Sequence, residues 1–90
     1  MAPKKTLLER MRDNPRADWD ISAVQRVCEE HAVDLMPPSA GSHYKAKSPF
    51  LQGILTIPAH RPIKAPYIRS LVSMIDAHNM MKQKASERKK

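Results

Sequence analysis

The 90-residue sequence has few of the residues on which several classes of protein depend. It contains a single cysteine, Cys28, so an internal disulfide is impossible and a reducing compartment is the expected environment. No apolar run approaches the roughly 20 residues that span a bilayer. The N-terminus places charged residues where a secretory signal needs its apolar segment. These absences predict a soluble cytoplasmic protein with no membrane partner.

Glycine and aromatic residues are also scarce. Gly41 and Gly53 are the only glycines, which excludes a glycine-rich phosphate-binding loop. One Trp, two Tyr and one Phe leave most of the core to aliphatic and methionine side chains. One cysteine and scattered histidines do not match the ligand spacing of a zinc site. We therefore expect neither a metal nor another cofactor.

Acidic residues are missing from the middle of the chain. No Asp or Glu occurs between positions 35 and 75, so this segment cannot supply the clustered carboxylates that hold Mg²⁺ or Mn²⁺ in a metal-dependent nuclease. The basic residues of the same segment are Lys45, Lys47, Arg61, Lys64 and Arg69. This asymmetry and the net charge of +7 favour a polyanionic partner, because each cation placed on a phosphate releases a condensed counterion.

The length of the chain allows one domain with one modest core. Hydrophobic periodicity predicts the order helix, helix, three antiparallel strands, helix. This is an α+β fold in which the two larger helices pack on one face of a three-stranded antiparallel sheet. We divide the chain into an N-terminal extension with a short helix (1–18), a main domain (19–79) and a basic tail (80–90), which we expect to be disordered.

Two helices are predicted before the sheet. Thr6 and Glu9 form a capping-box pattern at the start of a short first helix. Asp20 is positioned to cap the second helix, with Trp19 and Val24 spaced as a hydrophobic staple. The apolar side of this helix includes Cys28, which we therefore expect in the core rather than at a reactive site.

Three strands and a final helix follow. Turn residues and alternation predict strands over 33–36, 43–47 and 51–57, the first of them at an edge of the sheet. Pro66 suits the first position of the final helix. The apolar side of this helix is wider than a small sheet needs. Part of it, with Met80–Met81, either fills the core or binds a partner such as a second copy of the chain.

His43 is the residue best placed for chemistry. It begins the second strand directly after Gly41 and Ser42, and by alternation it shares the solvent face with Lys45 and Lys47. Nearby positive charge disfavours protonation, which leaves the imidazole able to act as a base. RNA supplies its own nucleophile, the 2′-OH, so one base and cationic stabilisation suffice for slow strand scission. The alternative is a surface histidine that happens to follow a turn.

The other histidines have plainer interpretations. His60, in a loop bracketed by Pro58 and Pro62, is either a second acid or base or a brace for the loop, and we favour the brace. His31 is expected to interact with the carbonyls at the end of the second helix. His78 continues the apolar side of the last helix and is expected to be packed.

Two blocks of sequence resemble the HicA toxin family. They are Gly41-Ser42-His43 and Ile57-Pro58-Ala59-His60-Arg61-Pro62-Ile63-Lys64, and the similarity continues through Tyr67-Ile68-Arg69. The blocks occur in the family's order and at a similar separation, and the resemblance covers roughly residues 19 to 78. The short first helix and the basic tail depart from the pattern of many members.

The resemblance implies a double-stranded-RNA-binding-like fold, in which a three-stranded sheet packs on two helices. It also implies the toxin of a type II toxin–antitoxin system, an endoribonuclease that cleaves messenger RNA without a metal. His43 corresponds to the family's catalytic histidine, and a HicB-type antitoxin would neutralise the protein. By charge and position, the residues expected to contact RNA are Gly41, Ser42, Lys45, Lys47, His60, Arg61 and Lys64.

Two other functions are compatible with the sequence. One is a non-catalytic RNA-binding module that uses the same basic face to hold structured RNA by shape. The other is an interaction protein whose methionine-rich last helix is the functional surface. RNA binding without cleavage would favour the module, whereas tight partner binding without RNA affinity would favour the interaction protein.

Overall fold

The computed structural model describes residues 5–88 as three helices and one three-stranded sheet. The helices are α1 (Leu7–Asp13), α2 (Ile21–Glu30) and α3 (Ala65–Arg88), and the strands are β1 (Asp34–Met36), β2 (His43–Lys47) and β3 (Leu55–Pro58). The sheet is antiparallel in the order β1-β2-β3, so β2 is its central strand. The predicted α+β class, the order of elements and the edge position of β1 are confirmed.

One face of the sheet is buried and the other is exposed. Cross-strand neighbours on the buried face are Leu35, Tyr44, Ala46, Leu55 and Ile57, of which Ala46 and Ile57 are completely buried. The intervening positions of β2 are exposed, as period-two alternation requires. Because α2 contacts β1 and α3 contacts β3, the two helices cover the buried face and leave the face of His43 open.

The core draws on all three helices and on β2 and β3, and the half-buried Leu35 of β1 packs against it. Its buried apolar residues are Leu8, Met11, Trp19, Val24, Val27, Cys28, Val33, Ala46, Ile57, Ile63, Ile68, Leu71, Val72 and Ile75. The helix α1 packs against α3 and α2. It is therefore an integral part of the domain, although the sequence suggested a separate extension.

The helix caps follow the sequence pattern. The Thr6 backbone N–H donates to Glu9 Oε1 at 2.9 Å and the Glu9 N–H donates to Thr6 Oγ1 at 3.2 Å, which confirms the capping box. Asp20 Oδ1 accepts from the Ala23 N–H at 3.0 Å, so the predicted start of α2 is also confirmed. Trp19, before this cap, is buried.

Two strands are shorter than predicted. β1 begins at Asp34, because the Val33 N–H donates at 2.9 Å to the Cys28 carbonyl at the end of α2. β3 begins at Leu55 rather than at residue 51, because the chain turns through 48–53. Gly53 lies in this turn with φ +91°, a left-handed conformation that glycine adopts without strain.

The last helix is longer than predicted. α3 continues through Arg88, where the sequence suggested a disordered tail from residue 80. After Pro66 the chain contains neither proline nor glycine, so nothing in the backbone chemistry ends the helix earlier. Residues 89–90 of that predicted tail lie outside the described part. Within residues 5–88, none of the helices combines the length and apolar character needed to cross a membrane.

Candidate functional site

The turn between β1 and β2 positions His43. Pro37 and Pro38 end β1, because neither can donate a backbone hydrogen bond to a continuing ladder. Gly41 has φ +81°, so the chain reverses through a conformation that L side chains rarely adopt. His43 then opens the central strand with its side chain exposed, in agreement with the sequence analysis.

The loop after β3 is bonded to this turn. The Ala59 N–H donates to the Ser42 carbonyl at 2.8 Å, and Ser42 Oγ lies 3.4 Å from His60 Nε2. In the ladder, His43 pairs with Pro58, two residues before His60. Ile63, near the other end of this loop, is buried in the core and anchors the loop. The structure therefore brings His60 to the turn before His43, in a contact that suits a brace.

A cleft of about 300 Å³ lies beside His43 under the β1–β2 turn. Its lining consists of Met36, Pro37, Pro38, Ser39, Ala40, His43 and Lys45. The sequence analysis identified only His43 and Lys45 among these residues. Pro37 and Pro38, which end β1, thus also contribute two rigid rings to the cleft lining.

The two lysines of β2 have different neighbours on the exposed face. Lys45 pairs in register with Met36, which is uncharged, whereas Lys47 pairs with Asp34 at the far end of the strand. Lys45 is two residues from His43 and lines the same cleft. Lys45 is therefore the cation available to an anion at His43, while Lys47 has a carboxylate directly opposite.

Arg61 is held away from the cleft by a carboxylate. Its Nε and Nη2 donate to the two carboxylate oxygens of Asp18 at 3.0 and 2.9 Å. These hydrogen bonds lower the pKa of Asp18 and raise that of Arg61. Both side chains are exposed, so a phosphate could compete for this guanidinium, but Arg61 does not line the cleft with His43. Asp18 and Arg61 are 43 residues apart in the chain, so no local sequence pattern predicts this pairing.

Lys64 is exposed at the start of α3. Its carbonyl accepts from the backbone N–H groups of Tyr67 and Ile68 at 3.0 and 3.3 Å, which begins the helix. Like Arg61, Lys64 is not part of the cleft lining. The predicted RNA contacts thus separate into a group around His43 and a second group near the β3–α3 loop.

The remaining histidines lie in structural positions. His31 Nδ1 is 3.2 Å from Asn79 Nδ2 on α3, so the prediction that its ring interacts with the carbonyls of α2 is wrong. His78 is completely buried, as predicted, with its Nδ1 2.6 Å from Ser48 Oγ. The same Oγ accepts from the Phe50 N–H at 3.0 Å, so Ser48 joins His78 to the turn after β2. His78 is thus bonded into the core and away from solvent.

Cys28 is buried in the core, as predicted. Burial raises the pKa of its thiol to about 11, so little of the reactive thiolate exists at neutral pH. Among residues 5–88, no three His, Cys, Asp or Glu side chains are grouped closely enough to hold a metal ion.

Comparison of the chain with known proteins identifies no relative. No protein-family model matches the chain. No curated protein and no solved structure matches it either.

Proposed function

We propose that the chain is a metal-independent endoribonuclease that cleaves messenger RNA, with His43 as its catalytic base. The observation that carries the proposal is the position of His43. It is exposed at the start of the central strand, between a cleft that contains Lys45 and a turn bonded to His60. An accessible imidazole beside a cation is what phosphodiester cleavage by the RNA's own 2′-OH requires.

The chemistry is an intramolecular transesterification. The 2′-oxygen forms a bond to phosphorus as His43 accepts its proton, and the bond from phosphorus to the 5′-oxygen breaks. The 5′-oxygen takes up a proton from water, and His43 later returns its proton to the solvent. The products are a 2′,3′-cyclic phosphate and a 5′-hydroxyl. Lys45 stabilises the additional negative charge on the phosphorane.

The order of elements supports a relationship with the HicA family. From α2 onward the chain runs helix, three antiparallel strands, helix, which is the order that a double-stranded-RNA-binding-like fold requires. His43 lies at the start of the central strand, after the Gly41-Ser42 turn that carries the resemblance. In this proposal the protein is the toxin of a type II toxin–antitoxin system and acts in the cytoplasm.

A HicB-type antitoxin would be the natural inhibitor. The exposed basic face attracts an acidic protein for the same reason that it attracts RNA. We therefore expect the antitoxin to cover His43 directly. A structure of the complex in which His43 stays open to solvent would contradict this expectation.

The decisive experiment compares the wild type with His43→Gln, each incubated with messenger RNA in EDTA. Glutamine keeps hydrogen-bonding capacity but cannot accept the proton. We expect cleavage by the wild type and none by His43→Gln, with cyclic phosphate and 5′-hydroxyl ends on the fragments. His31→Gln, purified identically, is the matched control because it removes an imidazole outside the site, and it should retain cleavage.

Two outcomes would overturn the proposal. Equal cleavage by wild type and His43→Gln would show that His43 is not the base or that the activity is a contaminant. RNA binding by both proteins with no cleavage by either would instead identify a binding module that uses the same basic face.

A further inference from the structure

The cleft beside His43 has a wall that the cleavage reaction does not use. Met36, Pro37 and Pro38 form its apolar side, and the Met36 side chain is 40% exposed although it is large and hydrophobic. The proline rings are rigid and have no backbone N–H to be satisfied. An exposed apolar wall next to a reactive group is typical of a site that holds a ligand in place.

The rest of the cleft lining is mainly cationic and polar. His43 and Lys45 contribute the titratable groups, Ser39 contributes a hydroxyl, and no carboxylate lines the space. The volume of about 300 Å³ is at the lower end of the range for ligand pockets. The cleft therefore suits one small ligand with a flat apolar part and an anionic part, which is the chemistry of a single nucleotide.

We propose that this cleft binds the base of one unpaired nucleotide, on the 5′ side of the bond that is cut. This inference rests on the proposed function, since it places the 2′-OH of that nucleotide at His43. Its base packs against Met36, Pro37 and Pro38, and its phosphate lies toward Lys45. The remainder of the RNA continues past Ser42 and His60, on the other side of His43.

Single-strand selectivity follows from this geometry. A base can enter the cleft only after it leaves its stack and its pairing partner, which costs free energy in a duplex and little in a single strand. The wall contains no aromatic ring, and the two prolines offer no N–H donors to read a base edge. The subsite therefore distinguishes unpaired from paired RNA.

The test uses three forms of one short RNA after the cleaved position has been mapped with the wild type. They are the single strand, the same strand annealed to its complement, and a single strand whose nucleotide 5′ to the cut lacks its base. The third form keeps the ribose 2′-OH and both phosphates. We expect kcat/KM to fall by about tenfold or more for both the duplex and the abasic strand.

A substitution connects the effect to the wall. Met36→Ala removes apolar surface that the base would bury, so it should lower kcat/KM on the intact single strand by about tenfold and have no effect on the abasic strand. Met80→Ala, the same change at a residue 59% exposed on α3, should leave all three substrates unaffected. A Met36→Ala loss that is equal on intact and abasic strands would indicate only a structural role and would overturn the proposal.

Failure of the subsite and failure of the ribonuclease are distinguishable. Equal cleavage of the three forms would refute the subsite and leave the ribonuclease standing. If the wild type makes no cut that can be mapped, the ribonuclease is refuted, and fluorescence anisotropy of a labelled short single strand and of the same strand without any bases still tests the cleft. Tighter binding of the intact strand than of the abasic strand, lost in Met36→Ala, would support the subsite, whereas equal binding would refute it.

Discussion

At the scale of single residues, burial separates the titratable groups that solvent reaches from those that are packed in the core. His43 and His60 are exposed at one end of the sheet, whereas His78 and Cys28 are buried. The same residue type thus has opposite roles within one chain. Sequence periodicity was sufficient to assign His43, His78 and Cys28, because each lies on a strand or helix whose buried side is clear from its neighbours. His60 lies in the loop after β3.

The buried thiol of Cys28 makes the stability of the protein pH-dependent in alkaline solution. Its pKa is raised from 9.0 to about 11 by burial, with a smaller contribution from Glu29. Between these pH values the unfolded chain releases the thiol proton while the folded chain keeps it. The stabilisation is therefore complete below pH 9 and is lost as the pH rises toward 11.

We expect this loss of stability at alkaline pH to appear in the free energies of unfolding of wild type and Cys28→Ala, compared by urea denaturation. The advantage of the wild type should shrink by about 2 kcal/mol between pH 8 and 11. Using the difference between the two proteins removes the titration of lysines and tyrosines. A difference that stays constant with pH would contradict the prediction.

At the scale of elements, the end of α2 contains a strained residue. His31 is the C-cap, Ala32 follows with φ +59°, and the Val33 N–H donates to the Cys28 carbonyl while the Ala32 N–H donates to Glu29. These two bonds form a Schellman motif, whose left-handed position is usually glycine. An alanine there costs about 1–2 kcal/mol of backbone strain.

Ala32→Gly should therefore stabilise the protein. The relief of strain exceeds the entropy that glycine adds to the unfolded chain, so we expect a gain of about 0.5–1 kcal/mol in thermal or urea unfolding. Ala77→Gly, in the interior of α3, is the matched control and should destabilise by about the same amount. If Ala32→Gly were as destabilising as Ala77→Gly, the strain argument would be wrong.

The helix α1 explains the wide apolar side of α3. Met11 is completely buried and lines the same groove as Val72 of α3, so α1 covers part of the surface that the sequence left open to a partner. Met80–Met81 remain exposed beyond the region that α1 covers. Binding of a second copy of the chain at this exposed end of α3 remains a prediction.

Met11→Ala tests whether α1 belongs to the cooperative unit. Loss of a fully buried methionine should lower the free energy of unfolding by about 2–4 kcal/mol, a large fraction for a domain of this size. Arg12→Ala is the control on the same helix, since it removes only an exposed ion pair with Asp76 and should cost less than about 1 kcal/mol. Equal small effects would mean that α1 is a dispensable extension.

At the scale of the whole molecule, charge and fold act together. The net charge of +7 favours polyanions in general, but the sheet positions only some of the cations beside His43. Arg61 is paired with Asp18, and Lys47 faces Asp34. The residue that pairs with Lys45 on β1 is the uncharged Met36. We therefore expect Lys45 to contribute more to RNA affinity than its share of the total charge.

The salt dependence of binding measures this contribution. In single-stranded RNA binding by the non-cleaving His43→Gln protein, Lys45→Ala should reduce the slope of log affinity against log salt by about 0.7. Lys84→Ala, which removes the same charge far along α3, should leave the slope unchanged. If both substitutions reduce the slope equally, net charge rather than the site governs RNA binding.

Interactions between residues close together in the chain explain what the sequence by itself determined. Alternation around Tyr44 and Ala46, the caps at Thr6 and Asp20, and the proline positions each depend on neighbours within a few residues. These features predicted the order of elements, the burial of Cys28 and His78, and the exposure of His43. The start of β3 and the end of α3 were predicted wrongly, because the turn through 48–53 and the continuation of α3 depend on weak local preferences.

Only the tertiary structure decided which distant residues meet. The pairing of Arg61 with Asp18, the contact of His60 with Ser42 and the packing of α1 on α3 each join residues far apart in the chain. The cleft of His43 likewise requires the β1–β2 turn to fold over the sheet. Such contacts depend on how packed elements place their surfaces, a property that periodicity and spacing do not encode.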